Sequence, residues 1–148
     1  MKTKAEIVAD RAEFESRAIG AFVGLAVGDA VGDLGRSQDH RNRYGRITRL
    51  LEDGKSTDDT EFGVLTARAL LDAKGALTPE KTAEAWKRYI LDRGGAKKRA
   101  GRPLYGASEN LSRGMKPPLS GKFNVMNIDD GAAMRATRML PSPCSSPP

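Results

Sequence analysis

Apolar positions repeat at helical spacing in four stretches of the chain, and each stretch predicts a helix. The four stretches are residues 4–17, 17–33, 58–73 and the segment that follows Pro79. The third helix is predicted to end before Gly75. The fourth begins at Thr78-Pro79-Glu80, which combines a capping hydroxyl with a proline in the first turn. Within the fourth helix, Trp86 is predicted to anchor the core rather than to serve as a stacking platform.

Polar stretches rich in glycine and proline separate these helices. Residues 34–55 are predicted to form a loop with a short extended segment, and their arginines indicate a solvated surface more than a phosphate site. His40, the single histidine of the chain, is expected to be a surface residue. Residues 103–128 are also predicted to be loop-rich, with a short helix at 108–113. Residues 127–138 then carry a second acidic helix start followed by small side chains.

Composition and charge limit the class of protein. The chain has 148 residues, 39% of them apolar and 30% charged, which is enough for one ordinary, rather polar domain. The net charge of +6 permits an anionic partner. A nucleic-acid partner is not favoured, because no aromatic residues interleave with the basic stretch at 93–103. The single cysteine, Cys144, and the lack of a signal-peptide pattern at the start predict a cytoplasmic protein.

The apolar run from Ala18 to Val31 is unusual in its glycine content. Glycine recurs at every fourth position, at Gly20, Gly24, Gly28 and Gly32. On a helix these glycines form one groove without side chains, although each costs about 1 kcal/mol relative to alanine. The groove therefore indicates the close approach of another helix or of a ligand, and the sequence leaves both open. Asp29 interrupts the run and should have a polar partner, and the short length of the run argues against a membrane span.

Two adjacent carboxylates stand at the start of the third predicted helix, in the segment Ser56-Thr57-Asp58-Asp59-Thr60. Thr57 can cap the first turn, and the two aspartates lie where the helix dipole favours negative charge. The same side chains offer hard oxygen ligands, which suit Mg²⁺ or Mn²⁺ better than Zn²⁺. Spacing alone favours the capping interpretation by roughly three to one, because acidic first turns are common.

Three motifs, taken in order, resemble the ADP-ribosylglycohydrolase family, which includes the dinitrogenase-reductase-activating glycohydrolases. They are the glycine-rich run at 17–32, the Ser56–Thr60 segment and Asp130-Gly131-Ala132-Ala133-Met134-Arg135. Each motif is weak alone, but their order and separation match together over about residues 15–136. We therefore expect residues 1–138 to be the N-terminal part of a truncated domain of this family. Residues 139–148, rich in proline and serine, are expected to be a disordered tail.

The resemblance implies an all-α fold with a dinuclear Mg²⁺ or Mn²⁺ centre. Members of the family hydrolyse the glycosidic bond between ADP-ribose and a protein side chain or a small molecule, so these are the implied partners. From the character of the apolar run, we expect no membrane partner. Half of the metal ligands would be Thr57, Asp58 and Asp59, and the other half would come from a later Asp-x-Asp-Thr motif. The turn against the ADP-ribose would contain Asn127, Asp130 and Gly131.

Three features depart from the family pattern. The chain has no Asp-x-Asp-Thr motif, and Arg36 stands where some members carry a catalytic glutamate. Asp130 stands where many members have asparagine, which would put a negative charge near a diphosphate ligand. Three hypotheses follow: a truncated glycohydrolase with low or no activity, a non-catalytic module that binds ADP-ribose or another nucleotide, or an incomplete helical domain that requires a partner.

Overall fold

The computed structural model describes residues 3–94 and 101–121, and every regular element in these two ranges is a helix. The α-helices are α1 (Lys4–Ala9), α2 (Arg11–Arg36), α3 (Gln38–Tyr44), α4 (Asp58–Asp72), α5 (Pro79–Tyr89) and α6 (Arg102–Ser112). A short 3₁₀ helix at Leu91–Arg93 follows α5. The predicted all-α fold is confirmed. The chain divides into two compact units, residues 1–60 and 61–148, with the division inside α4.

The first predicted helix is interrupted at Asp10. This residue has an extended backbone conformation, with φ −93° and ψ 94°, and its side chain accepts a hydrogen bond from the Glu13 amide to begin α2. A capping aspartate of this kind ends one helix and starts the next, because its carboxylate replaces the missing backbone acceptor. From there α2 runs for 26 residues and contains the whole glycine-rich run.

The prediction of a loop over residues 34–55 is wrong for the segment that forms α3. Ser37 caps α3 by accepting a hydrogen bond from the His40 amide at 3.3 Å, and Gly45 ends the helix with a φ of +70°. The Gln38 side chain donates to Asn42 Oδ1 at 2.8 Å, one turn further along. This helix is polar on all sides, so its sequence has no apolar residues at helical spacing from which it could be predicted. The expected extended segment at 47–51 forms no strand.

The second unit has an apolar core at the junction of α4, α5 and α6. The core is centred on Phe62, Ile90 and Leu104, with Leu65 and Trp86 packed against it. The Trp86 ring is stacked on Phe62, with ring centroids 5.0 Å apart and planes inclined by 3°. The Trp86 indole N–H donates to Ser108 Oγ at 2.6 Å, which satisfies its polar edge. The prediction that Trp86 is a core anchor is confirmed.

The remaining boundaries follow capping chemistry. The Thr78 hydroxyl accepts a hydrogen bond from the Lys81 amide at 3.3 Å, as predicted for the start of α5. Gly75 adopts a φ of +84° just beyond α4, a conformation that glycine tolerates best. The last described helix, α6, begins earlier than the predicted segment 108–113. Pro103 lies in its first turn, where a missing amide proton costs nothing.

Helix α2 is long and apolar enough to cross a membrane by length and composition, and no other helix in the described ranges is. The helix extends beyond the apolar run on both sides, so the short length of the run does not by itself argue against a span. Passing this test is weak evidence for a membrane span, since core helices and signal sequences pass it too. Asp29, in the C-terminal half of α2, has polar partners within the protein.

Candidate active site

The acidic segment predicted from the sequence lies at the first turn of α4. Thr57 precedes the helix, and Asp58 and Asp59 are its first two residues. All three side chains are half-buried, as is that of Thr60. Since these side chains are only half-buried, their oxygens are partly accessible from solvent.

Asp29 of α2 fixes this helix start through both of its carboxylate oxygens. Oδ1 accepts a hydrogen bond from the Thr57 hydroxyl at 2.6 Å. Oδ2 accepts from the Thr57 amide at 2.6 Å, the Thr60 amide at 3.1 Å and the Thr60 hydroxyl at 2.6 Å. A carboxylate from a distant helix thus caps α4, the role that local pattern assigned to Thr57. The expectation that Asp29 needs a polar partner is confirmed.

These contacts keep Asp29 ionised. Burial raises the pKa of the Asp29 carboxyl, but the hydrogen bonds from the hydroxyls and amides of Thr57 and Thr60 outweigh it. The net effect is a pKa below the ordinary value of an aspartate. The charge also lies at the positive end of the α4 dipole, where it stabilises the helix.

The oxygen atoms at this turn fit part of the coordination shell of a hard divalent cation. Two carboxylates and one hydroxyl supply oxygen ligands of the kind that Mg²⁺ and Mn²⁺ prefer. Within residues 3–94 and 101–121, no group of three or more His, Cys, Asp or Glu side chains is arranged to hold a metal ion. Thr57, Asp58 and Asp59 can therefore supply part of a coordination shell, which other ligands or water would have to complete.

The glycine groove predicted on α2 is open in the described part of the chain. A Cβ atom added at Gly20, Gly24, Gly28 or Gly32 would meet no atom within 4 Å. Beside the glycines, the side chains of Ile19, Val23 and Val27 are exposed. Among the described residues neither a packed helix nor a ligand-lining element explains the glycines, and both alternatives stay predictions.

His40 is not the simple surface residue that the sequence suggested. Its side chain is 25% exposed, and Nε2 lies 2.7 Å from Asp53 Oδ2. Nδ1 is buried without a hydrogen-bond partner among the described atoms. The contact with His40 lowers the pKa of Asp53. This pair connects α3 to the turn at 52–53, a contact that no sequence spacing predicted.

The remaining predicted site residues are the ADP-ribose turn and Arg36. The expected ADP-ribose turn, with Asn127, Asp130 and Gly131, lies outside the described residues, as does the expected tail at 139–148. Arg36, predicted to stand about where some members of the resembled family carry a glutamate, ends α2 with a side chain that is 82% exposed. Its Nη1 atom lies 3.9 Å from Asp33 Oδ1. The end of α2 therefore presents an exposed cation.

Comparison with known proteins matches these motifs to one family. The family model for ADP-ribosylglycohydrolases matches residues 10–145. The ADP-ribosyl-dinitrogen reductase glycohydrolase of Rhodospirillum rubrum is 36% identical over 87 residues, which cover 52% of this chain and 29% of the relative. The matched region thus spans less than a third of that relative's length, and no solved structure gives a significant match. The chain belongs to the ADP-ribosylglycohydrolase family.

Proposed function

We propose that this chain carries one half of the centre that hydrolyses an ADP-ribosyl glycosidic bond in a metal-dependent reaction. The observation that supports the proposal is the acidic first turn of α4, fixed by Asp29 within a region that matches the family. The substrate would be an ADP-ribosylated protein or a small molecule that contains ADP-ribose. The R. rubrum relative, by its name, acts on ADP-ribosylated dinitrogen reductase.

In this proposal, Thr57, Asp58 and Asp59 hold Mg²⁺ or Mn²⁺, as part of a dinuclear centre. The chemistry that bound metals supply is polarisation of a water and orientation of the ribose hydroxyls. The protein contributes a rigid turn, because Asp29 ties its amides and hydroxyls to α2. The diphosphate of the substrate would suit arginine side chains, which bind phosphate oxygens in a bidentate manner.

The missing Asp-x-Asp-Thr motif predicts weak cation binding and slow or no turnover by these 148 residues. The test is release of ADP-ribose from ADP-ribosyl-arginine, ADP-ribosyl-serine and O-acetyl-ADP-ribose with Mg²⁺ or Mn²⁺ present. Wild type should bind Mn²⁺ weakly, and Asp58→Asn should abolish that binding. Asp33→Asn, a change of an exposed aspartate outside the motif, serves as the matched control. Robust turnover that Asp58→Asn removes would show that these residues suffice for catalysis.

A second candidate function is binding of ADP-ribose without cleavage. Arg36 favours it, because an exposed arginine cannot serve as the acid or base that a glutamate would supply at about that position in some members of the family. Calorimetry with ADP-ribose, with and without Mg²⁺, separates the two candidates. Metal-independent binding without release of products supports the binding module, whereas binding that requires Mg²⁺ supports the hydrolytic centre. The cytoplasmic location and the identity of the metal stay predictions.

A further inference from the structure

The Asp29 carboxylate determines where two hydroxyl protons point. An ionised carboxylate can only accept hydrogen bonds, so in each contact with a threonine hydroxyl the threonine is the donor. The Thr57 and Thr60 hydroxyls both lie 2.6 Å from an Asp29 oxygen, a short distance typical of charge-assisted bonds. Each hydroxyl has a single proton, and in both residues that proton is directed at Asp29.

This polarity matters for a threonine that would bind a cation. A hydroxyl oxygen coordinates a cation through its lone pairs, and a proton turned toward the cation would repel it. With its proton held by Asp29, Thr57 Oγ1 has only lone pairs left for another partner. The Thr57 amide donates to the second Asp29 oxygen at 2.6 Å, so Asp29 fixes both the position of Thr57 and the direction of its hydroxyl proton.

We propose that Asp29 is a positioning residue that keeps the Thr57 hydroxyl oriented as a ligand for a divalent cation at Thr57, Asp58 and Asp59. The inference rests on the proposed function, because it concerns the same cation. It adds a residue of α2, 28 positions upstream of the acidic turn, to the groups that determine cation affinity. Outer-shell partners of this kind typically contribute 10- to 100-fold to metal affinity.

A purely structural cap is the competing explanation. In that case Asp29 would stabilise the start of α4, and any loss of cation affinity would follow from a loosened helix. Variants of the two threonines separate these explanations, because each threonine donates one hydrogen bond from its amide and one from its hydroxyl to Asp29. Only Thr57 belongs to the proposed ligand set. Thr60→Val therefore removes an equivalent hydrogen bond to the same carboxylate while leaving the ligand set intact.

The experiment is an Mn²⁺ titration of the 148-residue chain, followed by electron paramagnetic resonance, which reports the free ion. Thermal unfolding by circular dichroism is measured on the same samples. Asp29→Asn is expected to weaken Mn²⁺ binding by about 10- to 100-fold. Thr57→Val should weaken it to a similar degree, and Thr60→Val by less than about threefold, although both valine variants should lose similar stability. The double variant Asp29→Asn/Thr57→Val should bind no worse than Thr57→Val, because the carboxylate acts through that hydroxyl.

Each remaining outcome has a defined meaning. If wild type binds Mn²⁺ and Asp29→Asn binds it equally well, the inference is overturned while the proposed metal site stands. If neither wild type nor Asp58→Asn binds Mn²⁺, the metal site in the proposed function is refuted, and the inference about Asp29 is refuted with it. If Asp29→Asn fails to fold, comparison of Thr57→Val with Thr60→Val still separates the positioning role of Asp29 from a purely structural cap. Equal losses of affinity in Thr57→Val and Thr60→Val would show that Asp29 is only a cap.

Discussion

The two units of the chain are stabilised internally by different kinds of contact. The second unit has an aromatic and aliphatic core around Phe62, in which the Trp86 indole N–H donates a hydrogen bond to Ser108. The described part of the first unit buries Ala30 and Leu34 and depends on polar connections, from Asp29 to the α4 start and from His40 to Asp53. The difference indicates that apolar burial stabilises the second unit, whereas hydrogen bonds and an ion pair position the segments of the first.

The largest expected effect is on the second unit. Phe62 is 1% exposed, and Phe62→Ala should lower the free energy of unfolding by about 3–5 kcal/mol, through lost apolar burial and the cavity left behind. Leu71→Ala is the matched control on the same helix, because Leu71 is 77% exposed and should change stability by less than about 0.5 kcal/mol. Urea unfolding followed by circular dichroism measures both. Similar losses in the two variants would show that burial around Phe62 is not the main source of stability in the second unit.

The next effect is on the first unit. Asp29→Ala should cost about 2 kcal/mol, because it leaves the half-buried amides and hydroxyls of Thr57 and Thr60 without their acceptor. Asp33→Ala, one turn further along α2, removes only a 3.9 Å contact with Arg36 and should be nearly neutral. The same unfolding assay compares them. If Asp29→Ala were as mild as Asp33→Ala, the polar connection would not stabilise the first unit.

A smaller loss is expected at Gly54, where the first unit is closely packed. A Cβ atom there would lie 2.5 Å from Leu50 Cδ1, 3.0 Å from Leu34 Cδ1 and 3.1 Å from the Leu51 carbonyl oxygen. The leucine side chains can move, but the backbone oxygen cannot easily do so. Gly54→Ala should therefore lower stability by about 1–2 kcal/mol in thermal unfolding. An unchanged melting temperature would show that this turn tolerates a side chain.

The opposite sign is expected at Gly24, which lies in open space within α2. Gly24→Ala should raise stability by up to about 1 kcal/mol, because alanine has the higher helix propensity. Thermal unfolding of this variant beside Gly54→Ala gives a direct comparison of two glycines in one unit. A loss of stability, or a change in sedimentation behaviour, would indicate that another helix or chain occupies the groove.

The smallest effect concerns pH. Because the pKa of Asp29 is lower in the folded protein than in the unfolded chain, its contribution to stability is complete above the ordinary aspartate pKa of about 4. That contribution is lost as the pH falls through the lowered folded-state pKa. The stability difference between wild type and Asp29→Asn should therefore shrink as unfolding is measured from pH 6 down to pH 3. A difference independent of pH would show that the charge of Asp29 is not what stabilises the turn.

The sequence predicted those parts of the fold that have an apolar period or a strong cap. The helices over 17–33 and 58–73, the Thr78 cap and the core position of Trp86 all follow from side-chain periodicity and local chemistry. It failed at α3, which is polar all round, and at the break after Ala9, where a single capping aspartate outweighs continuous helical spacing. Both failures occur where hydrogen bonds rather than apolar burial determine the backbone.

The candidate site was predicted in part. The acidic turn and the need for a partner at Asp29 could be inferred separately, because each involves neighbouring residues. The contact between them could not be inferred, because Asp29 lies 28 positions before Thr57 and 31 positions before Thr60 in the sequence. The only signal available was a carboxylate in an apolar run together with a hydroxyl-rich helix start. The pairing of His40 with Asp53 had no such signal and required the folded backbone.

The division of the chain inside α4 has a consequence for local opening. The first turn of this helix is secured by a carboxylate, whereas the following turns are anchored by Phe62 in an apolar core. Fraying of the first turn therefore exposes little hydrophobic surface, and the body of the helix persists while it happens. Amide hydrogen exchange should therefore be faster at Thr60 than at Ala69, because the Thr60 amide can open by loss of its bond to Asp29 without disrupting the apolar core.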